Sequence, residues 1–178
     1  MKYVVTGGAG FIGSHVTKKL VERGDIVTVI DNMNTGKEKN LEPVRDKINF
    51  VKGDILDIDL LEDMTKDTDG VFHQAALASV QDSFDEPNEY HNVNVNGTEN
   101  ILKLSKKYGF KIVYASSSSV YGNPIKIPIK ESDERNPINP YAETKLKKEE
   151  LATEYSKMGV SVIGLRYFNV FGKGQSKE

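Results

Sequence analysis

Tyr141 and Lys145 stand four residues apart in the run Tyr141-Ala142-Glu143-Thr144-Lys145. On a helix, residues i and i+4 share a face, so this spacing sets an ammonium beside a phenol. The charge is expected to lower the pKa of the phenol and ready Tyr141 to give and take a proton. With 8 tyrosines and 20 lysines in 178 residues, chance alone supplies about one such pair. The pair has meaning only in the setting that the rest of the sequence builds around it.

A second group of residues suits a phosphate. Gly7, Gly10 and Gly13 fall in Gly7-Gly8-Ala9-Gly10-Phe11-Ile12-Gly13, after a strand-like run and at the mouth of a helical one. Such a turn lets backbone N–H groups approach a pyrophosphate, and a helix N-terminus favours its charge. Asp31 lies 18 residues beyond Gly13 and ends the second strand-like run. An acid at that distance accepts from the adenosine ribose hydroxyls and repels the additional phosphate of NADP. Asn32 follows it, where an arginine would have argued for NADP. The reading is a dinucleotide site for NAD; the plainer alternatives are a tight turn without ligand and a strand-end Asp that caps a turn.

Asp54 closes the third strand-like run and could accept from an adenine amino group beside the Ile55 amide, or serve only as a turn residue. The fifth run leads out into Ser116-Ser117-Ser118-Ser119. A hydroxyl there can reach the same substrate oxygen as Tyr141, while the other serines make a hydrogen-bonded strand exit.

These residues need elements to hold them. Short apolar runs at Lys2–Thr6, Ile26–Asp31, Ile48–Lys52, Gly70–His73, Lys111–Ser116 and Val160–Leu165 read as strands buried on both faces. Helical patterns alternate with them: Ile12, Val16 and Leu20; Leu60, Leu61 and Met64 after Asp57 as N-cap; Val93, Gly97, Ile101, Leu104 and Tyr108; and Leu151, Tyr155 and Met158 on a helix starting near Pro140. The lysine-rich piece Lys145–Glu150 reads as a solvated helix face, and Gly122–Asn139, with Pro124, Pro128 and Pro137, reads as a loop. Strand and helix in alternation predict an α/β fold, a doubly wound parallel sheet of Rossmann type.

Composition narrows the function classes. Apolar residues make up 38% and charged residues 28%, an ordinary globular balance for one domain. The net charge of −2 carries no basic excess, so no nucleic-acid partner is expected. Cysteine is absent, which removes disulfides, thiolate zinc sites and cysteine nucleophiles. His15, His73 and His91 lack metal-ligand spacing, so no metal is expected; His73 reads as a satisfied buried histidine at a strand end. No Gly-x-Ser-x-Gly elbow is present. Met1–Gly10 lacks a secretory pattern and no apolar run reaches the ~18 residues of a membrane span, so a cytoplasmic protein without a membrane partner is expected.

In this order, the motifs resemble the extended short-chain dehydrogenase/reductase family, and within it the NAD-dependent nucleotide-sugar epimerases of the UDP-glucose 4-epimerase type. The segments that carry the likeness are Thr6–His15, Asp31–Lys37, Gly53–Ile55, His73–Val80, Asn94–Thr98, Ser116–Gly122, Pro140–Lys145 and Arg166–Gly172. The resemblance implies Phe11 and Ile12 as backbone contacts to pyrophosphate, Asp31 and Asn32 at the adenosine ribose, and Asp54 and Ile55 at adenine. It implies Asn34, Thr35 and Gly36 as a turn around the adenosine end. Gln74, Ala75, Ala76 and Ala78 would lead toward the nicotinamide ribose, and Asn94 would be a positioning asparagine. Tyr141, Lys145 and Ser117 match the catalytic set, Lys145 also holding ribose hydroxyls, while Phe168 and Asn169 match residues beside the nicotinamide and the sugar nucleotide.

The departures from the family pattern refine this. Thr144 keeps the hydroxyl of the usual serine, and Ala78 stands where some galactose-pathway epimerases carry lysine. Dehydratases of the family place Asp-Glu after the catalytic hydroxyl; Ser118-Ser119 stands here, which disfavours elimination. The implied reaction is 4-epimerisation of a UDP-sugar through a 4-keto intermediate. Family members continue well past the Arg166–Gly172 segment, so residues 1–178 are expected to form the NAD-binding domain with most of the substrate domain missing, and to turn over UDP-sugars poorly alone. The rival readings are a non-catalytic NAD-binding fragment and a nucleotide-sugar reductase or dehydratase relative. A homodimer is expected, because the helices placed at Glu89–Tyr108 and Tyr141–Met158 correspond to those that pair in the family.

Overall fold

The computed structural model describes residues 1–175. Six parallel strands, β1 (Lys2–Thr6), β2 (Ile26–Asp31), β3 (Ile48–Lys52), β4 (Gly70–His73), β5 (Lys111–Ser117) and β6 (Val162–Tyr167), form one sheet in the order β3-β2-β1-β4-β5-β6. The chain runs outward from β1 to β3, then crosses to the other side of β1 for β4. That reversal opens a crevice beyond the carboxyl ends of β1 and β4, where ligands bind in such sheets. Val4 and Val5, successive on β1, point to opposite faces and anchor two separate apolar layers. The central strands are therefore covered on both sides, as their unbroken apolar runs anticipate, whereas edge strand β6 leaves Ile163 and Leu165 exposed, against the expectation.

The helices are α1 (Phe11–Glu22), α2 (Ile58–Thr65), α3 (Asp82–Asp85), α4 (Pro87–His91), α5 (Gly97–Tyr108) and α6 (Pro140–Lys157); α1, α2, α5 and α6 supply those layers, and the short α3 and α4 pack against α6. Asp57 caps α2 by accepting from Leu60 N at 3.0 Å, and Asn139 caps α6 by accepting from Ala142 N at 2.8 Å. Among the described residues no helix is long and apolar enough to cross a membrane.

Four further expectations are corrected. On α1 the deepest face is Gly13, Ser14, Thr17 and Leu20, with Ile12 and Val16 half-buried. Small residues are needed there because a Cβ on Gly13 would stand 2.1 Å from the Gly7 carbonyl oxygen. The helix placed at Glu89–Tyr108 is three pieces, since a π-helical turn at Asn92–Asn96 separates α4 from α5; Tyr108 at its end is exposed. The last strand starts at Val162 rather than Val160, because Val160 N still donates to Tyr155 O at 3.1 Å and closes α6. The fourth correction matters most. Lys145, Lys148 and Glu149 are 3%, 0% and 7% exposed, so this side of the charged run faces the core, while Lys147 and Glu150 stay exposed as expected. The outer apolar row is shallow instead: Leu151 and Tyr155 are half-buried and Met158 is exposed.

Candidate functional site

The glycine turn is closed by its own hydrogen bonds. Gly10 N donates to Gly7 O at 3.1 Å, and Ala9 O accepts from Lys37 N at 3.0 Å and Asn40 Nδ2 at 2.8 Å. Gly7 adopts φ 68°, and a Cβ on it would meet Ala75 N at 2.6 Å, so only glycine lets β1 turn against the residues after β4. No side chain caps α1, which leaves first-turn N–H groups, including Phe11 and Ile12, aimed into the crevice.

Asp31 is 7% exposed. Its Oδ2 accepts from Ala9 N at 2.9 Å and its Oδ1 from Met33 N at 2.8 Å. Each oxygen keeps a lone pair for a further donor, so the carboxylate both holds the turn and remains able to receive hydroxyls. Asp54 stands two residues past the end of β3 rather than at it. It accepts from Asn32 Nδ2 at 2.8 Å and from Leu56 N at 2.9 Å, so it acts as a turn residue and orients Asn32.

Two connected chambers run across the strand ends. The smaller, about 220 Å³, is lined by Asp31, Asn32, Asn34, Asp54, Ile55 and Ala75 among others. The larger, about 840 Å³, has Phe11, Ile12 and Gly13 on one wall, Ser117, Tyr141 and Lys145 on another, and Ala78, Phe168 and Asn169 at its rim. Gly7, Gly10, Thr35, Gln74 and Ala76 border both chambers. The expected contacts thus meet along one trough, with two exceptions. Gly36 packs beneath it, where a Cβ would meet Asp31 Oδ1 at 2.7 Å. Asn94 is fully buried in the π-helical turn: its Oδ1 accepts from Leu77 N at 2.9 Å, and its Nδ2 donates to Leu77 O at 3.0 Å and Thr144 Oγ1 at 3.0 Å. It clips the segment lining the trough to α6 and lines neither chamber itself.

Glu89, Asn92 and Val93 also line the smaller chamber, and Tyr167 and Val170 the larger; sequence reasoning misses all five. Tyr167 sits beside Phe168 in an already identified motif, whereas Glu89 comes from α4, and Asn92 and Val93 from a π turn that helical periodicity does not reveal.

At the reacting end, Lys145 Nζ donates to Ala115 O at 3.3 Å and lies 5.4 Å from the centre of the Tyr141 ring. The expectation of a lowered phenol pKa is corrected here. Burial raises Tyr141, and the Ser117 side chain offsets only part of this. Lys145 faces the ring rather than the hydroxyl, and burial brings its own pKa down to about 8. Tyr141 is therefore protonated at neutral pH, and Ser117 lines the same chamber. Ser117 Oγ also accepts from Ser119 N at 3.1 Å and Ser119 Oγ at 2.8 Å. His73 is fully buried between Thr6 Oγ1 at 2.7 Å and Thr98 Oγ1 at 2.9 Å, a satisfied core histidine.

Residues 3–178 match the model of the NAD dependent epimerase/dehydratase family. The chain belongs to that family. A UDP-glucose 4-epimerase of Halalkalibacterium halodurans is 42% identical over 97% of this chain and 52% of its own length. A UDP-N-acetylglucosamine 4-epimerase from Methanobrevibacter ruminantium, solved with UDP-N-acetylmuramic acid, superposes with a TM-score of 0.94 at 41% identity, over 99% of this chain and 57% of the other. The UDP-glucose 4-epimerase of Thermus thermophilus, solved with NAD, gives a TM-score of 0.92 at 36% identity, over 100% of this chain and 58% of the other. This epimerase/dehydratase family member thus spans about half the length of the curated relatives it matches.

Proposed function

We propose that the chain binds NAD along the trough and carries the proton-transfer residues for 4-epimerisation of a UDP-sugar. The observation that carries this reading is the convergence of the glycine turn and the Ser117, Tyr141 and Lys145 set on one 840 Å³ chamber. The chain fits a dinucleotide. The close approaches at Gly7 and Gly13 leave backbone where a side chain would obstruct a pyrophosphate, and Asp31 has lone pairs for a ribose. When bound, NAD supplies the hydride acceptor. Asp31 and Asn32 hold the adenosine ribose, and Phe11 and Ile12 N–H groups the pyrophosphate. Lys145 donates to the second ribose, and Tyr141, with Ser117 beside it, holds and moves the proton of a sugar hydroxyl. Phe168 and Asn169 border the space for the sugar.

The geometry favours epimerisation over dehydration. Ser118 and Ser119 follow Ser117 without a carboxyl group to protonate a leaving hydroxide. We further propose that residues 1–178 are the cofactor-binding unit and that the clamp on the nucleotide lies largely outside them. Sugar orientation depends on such remote contacts, so interconversion should be slow in this chain.

NAD titration by calorimetry, followed by incubation with UDP-glucose and separation of UDP-galactose, tests this. Binding should saturate and be lost on Gly13→Ala. Interconversion should be faster in a chain extended to the length of its relatives, and there Tyr141→Phe should remove it while leaving NAD affinity. Absence of saturable NAD binding would refute the reading.

A further inference from the structure

Glu149 is a buried carboxylate that no step above uses. It lies one helical turn beyond Lys145 and two beyond Tyr141, on the same face of α6. Four donors converge on it. Ser116 Oγ donates to Oε1 at 2.5 Å, Arg166 Nε to Oε1 at 2.9 Å, Arg166 Nη2 to Oε2 at 2.9 Å and Arg135 Nη1 to Oε2 at 3.2 Å. A carboxylate offers about four lone-pair sites, so this one is saturated. The Glu149 side chain is 8% exposed and that of Arg166 21%, which separates the pair from ordinary surface ion pairs.

The donors come from the pieces that carry the site. Ser116 precedes Ser117 on β5. Arg166 lies on β6, three residues before Asn169, and its Nη1 donates to Tyr121 Oη at 2.6 Å and to Glu131 O at 2.9 Å. Arg135 belongs to the loop between β5 and α6. One side chain on the helix of Tyr141 and Lys145 thus grips both strand exits and the intervening loop.

We propose that Glu149 is a positioning residue: through Ser116 and Arg166 it fixes the exits of β5 and β6 against α6 and so sets how the Ser117 hydroxyl stands toward the Tyr141 phenol across the larger chamber that both line. The proposal rests on Tyr141 as the proton-transfer group. It adds that the placement of Ser117 relative to Tyr141 is set from a carboxylate outside the trough. A catalytic group displaced by about 1 Å loses much of its effect, and a rotation of α6 against β5 produces a displacement of that kind.

The test reads Tyr141 directly. 3-Fluorotyrosine is placed at position 141 of the whole chain, and its 19F shift is followed with pH; the fluorine brings the phenol's titration into a range where the protein stays folded. Ser116→Ala cuts the link to β5 and leaves the Glu149–Arg166 pair intact. It should move the Tyr141 midpoint upward, because Ser117 no longer supports the phenolate. Glu149→Gln should move it in the same direction, and neither substitution should move it further in a Ser117→Ala background. A general loosening of the fold would not be silenced by removing one hydroxyl. The proposal is overturned if Ser116→Ala leaves the midpoint unchanged or if its shift persists in Ser117→Ala. Should Glu149→Gln fail to fold, Ser116→Ala alone still separates these outcomes. NAD titration of the unmutated chain is scored separately, so failure of the functional reading and failure of the Glu149 tie are distinguishable.

Discussion

Lys148→Met should make this protein more stable, and by an amount that depends on pH in a defined direction. Lys148 is fully buried, its Nζ has no hydrogen-bond partner among the described residues, and its only evident compensation is the Tyr114 ring, 5.5 Å away. An unsatisfied buried donor costs about 1–3 kcal/mol, and a ring contact returns roughly 0.5–1 kcal/mol of that. Methionine keeps the length and most of the volume of the side chain without the amine, so no cavity opens. The unsatisfied donor alone makes the expected gain about 1–2 kcal/mol, roughly 2–8 °C in melting temperature for a chain of this size, and below the unfolded pKa the proton linkage adds to it. Burial, then the neighbouring Lys145, hold the pKa of Lys148 well below 10.5 in the folded state. Between the lowered folded value and the unfolded value of ~10.4 the unfolded chain binds a proton that the folded chain does not, so the stability of the unmutated protein rises with pH across that window. The variant lacks that contribution. Its advantage should be largest on the acid side of that window and should shrink as pH approaches the unfolded value, down to the part due to the unsatisfied donor of the uncharged amine. Urea unfolding followed by circular dichroism from neutral to alkaline pH measures both quantities. A variant less stable at neutral pH, or one with an advantage constant in pH, would show that the amine has a partner or carries no burial penalty.

Asp31→Ala should narrow the preference for NAD over NADP by removing the carboxylate that opposes a 2′-phosphate, and it should weaken NAD binding as Ala9 N loses its acceptor. Parallel titration with both cofactors measures this, and equal affinities in the unmutated chain would count against the assignment. NAD affinity should also fall as pH rises through about 8, where Lys145 loses its charge. Lys145→Met should bind more weakly and without that pH dependence; an unmutated chain with flat affinity across this range would exclude an ammonium contact to the cofactor.

The strands and the glycine turn were legible because their chemistry is local. Val4 and Val5 put apolar side chains on both faces, and Gly13 answers to the Gly7 carbonyl six residues away, although Gly7 itself answers to the distant Ala75 backbone. The Tyr141–Lys145 spacing was equally readable, but its electrostatics was not. Sequence shows an ammonium four residues from a phenol, while the folded geometry sets it over the ring and lets burial dominate both groups. The charged face of α6 failed for a related reason. Lys148 and Glu149 look like solvent-facing residues until Arg166, 17 residues after Glu149, supplies the partner that makes burial of a carboxylate tolerable. Periodicity also missed the π turn that tucks Asn94 inward, since one extra residue per turn leaves no compositional mark.

The glycine turn is held by Asp31, Lys37 and Asn40 rather than by anything it binds. Its recognition energy is therefore not spent on ordering a loop. Association with a dinucleotide should carry a heat-capacity change set by the apolar surface covered in the trough, without the larger signature of coupled folding. Its on-rate should be governed by diffusion and orientation rather than by a rare open conformer. A scaffold arranged this way discriminates between ligands by the fit of a rigid surface, so substitutions around the turn should alter the lifetime of the complex far more than the speed of its formation.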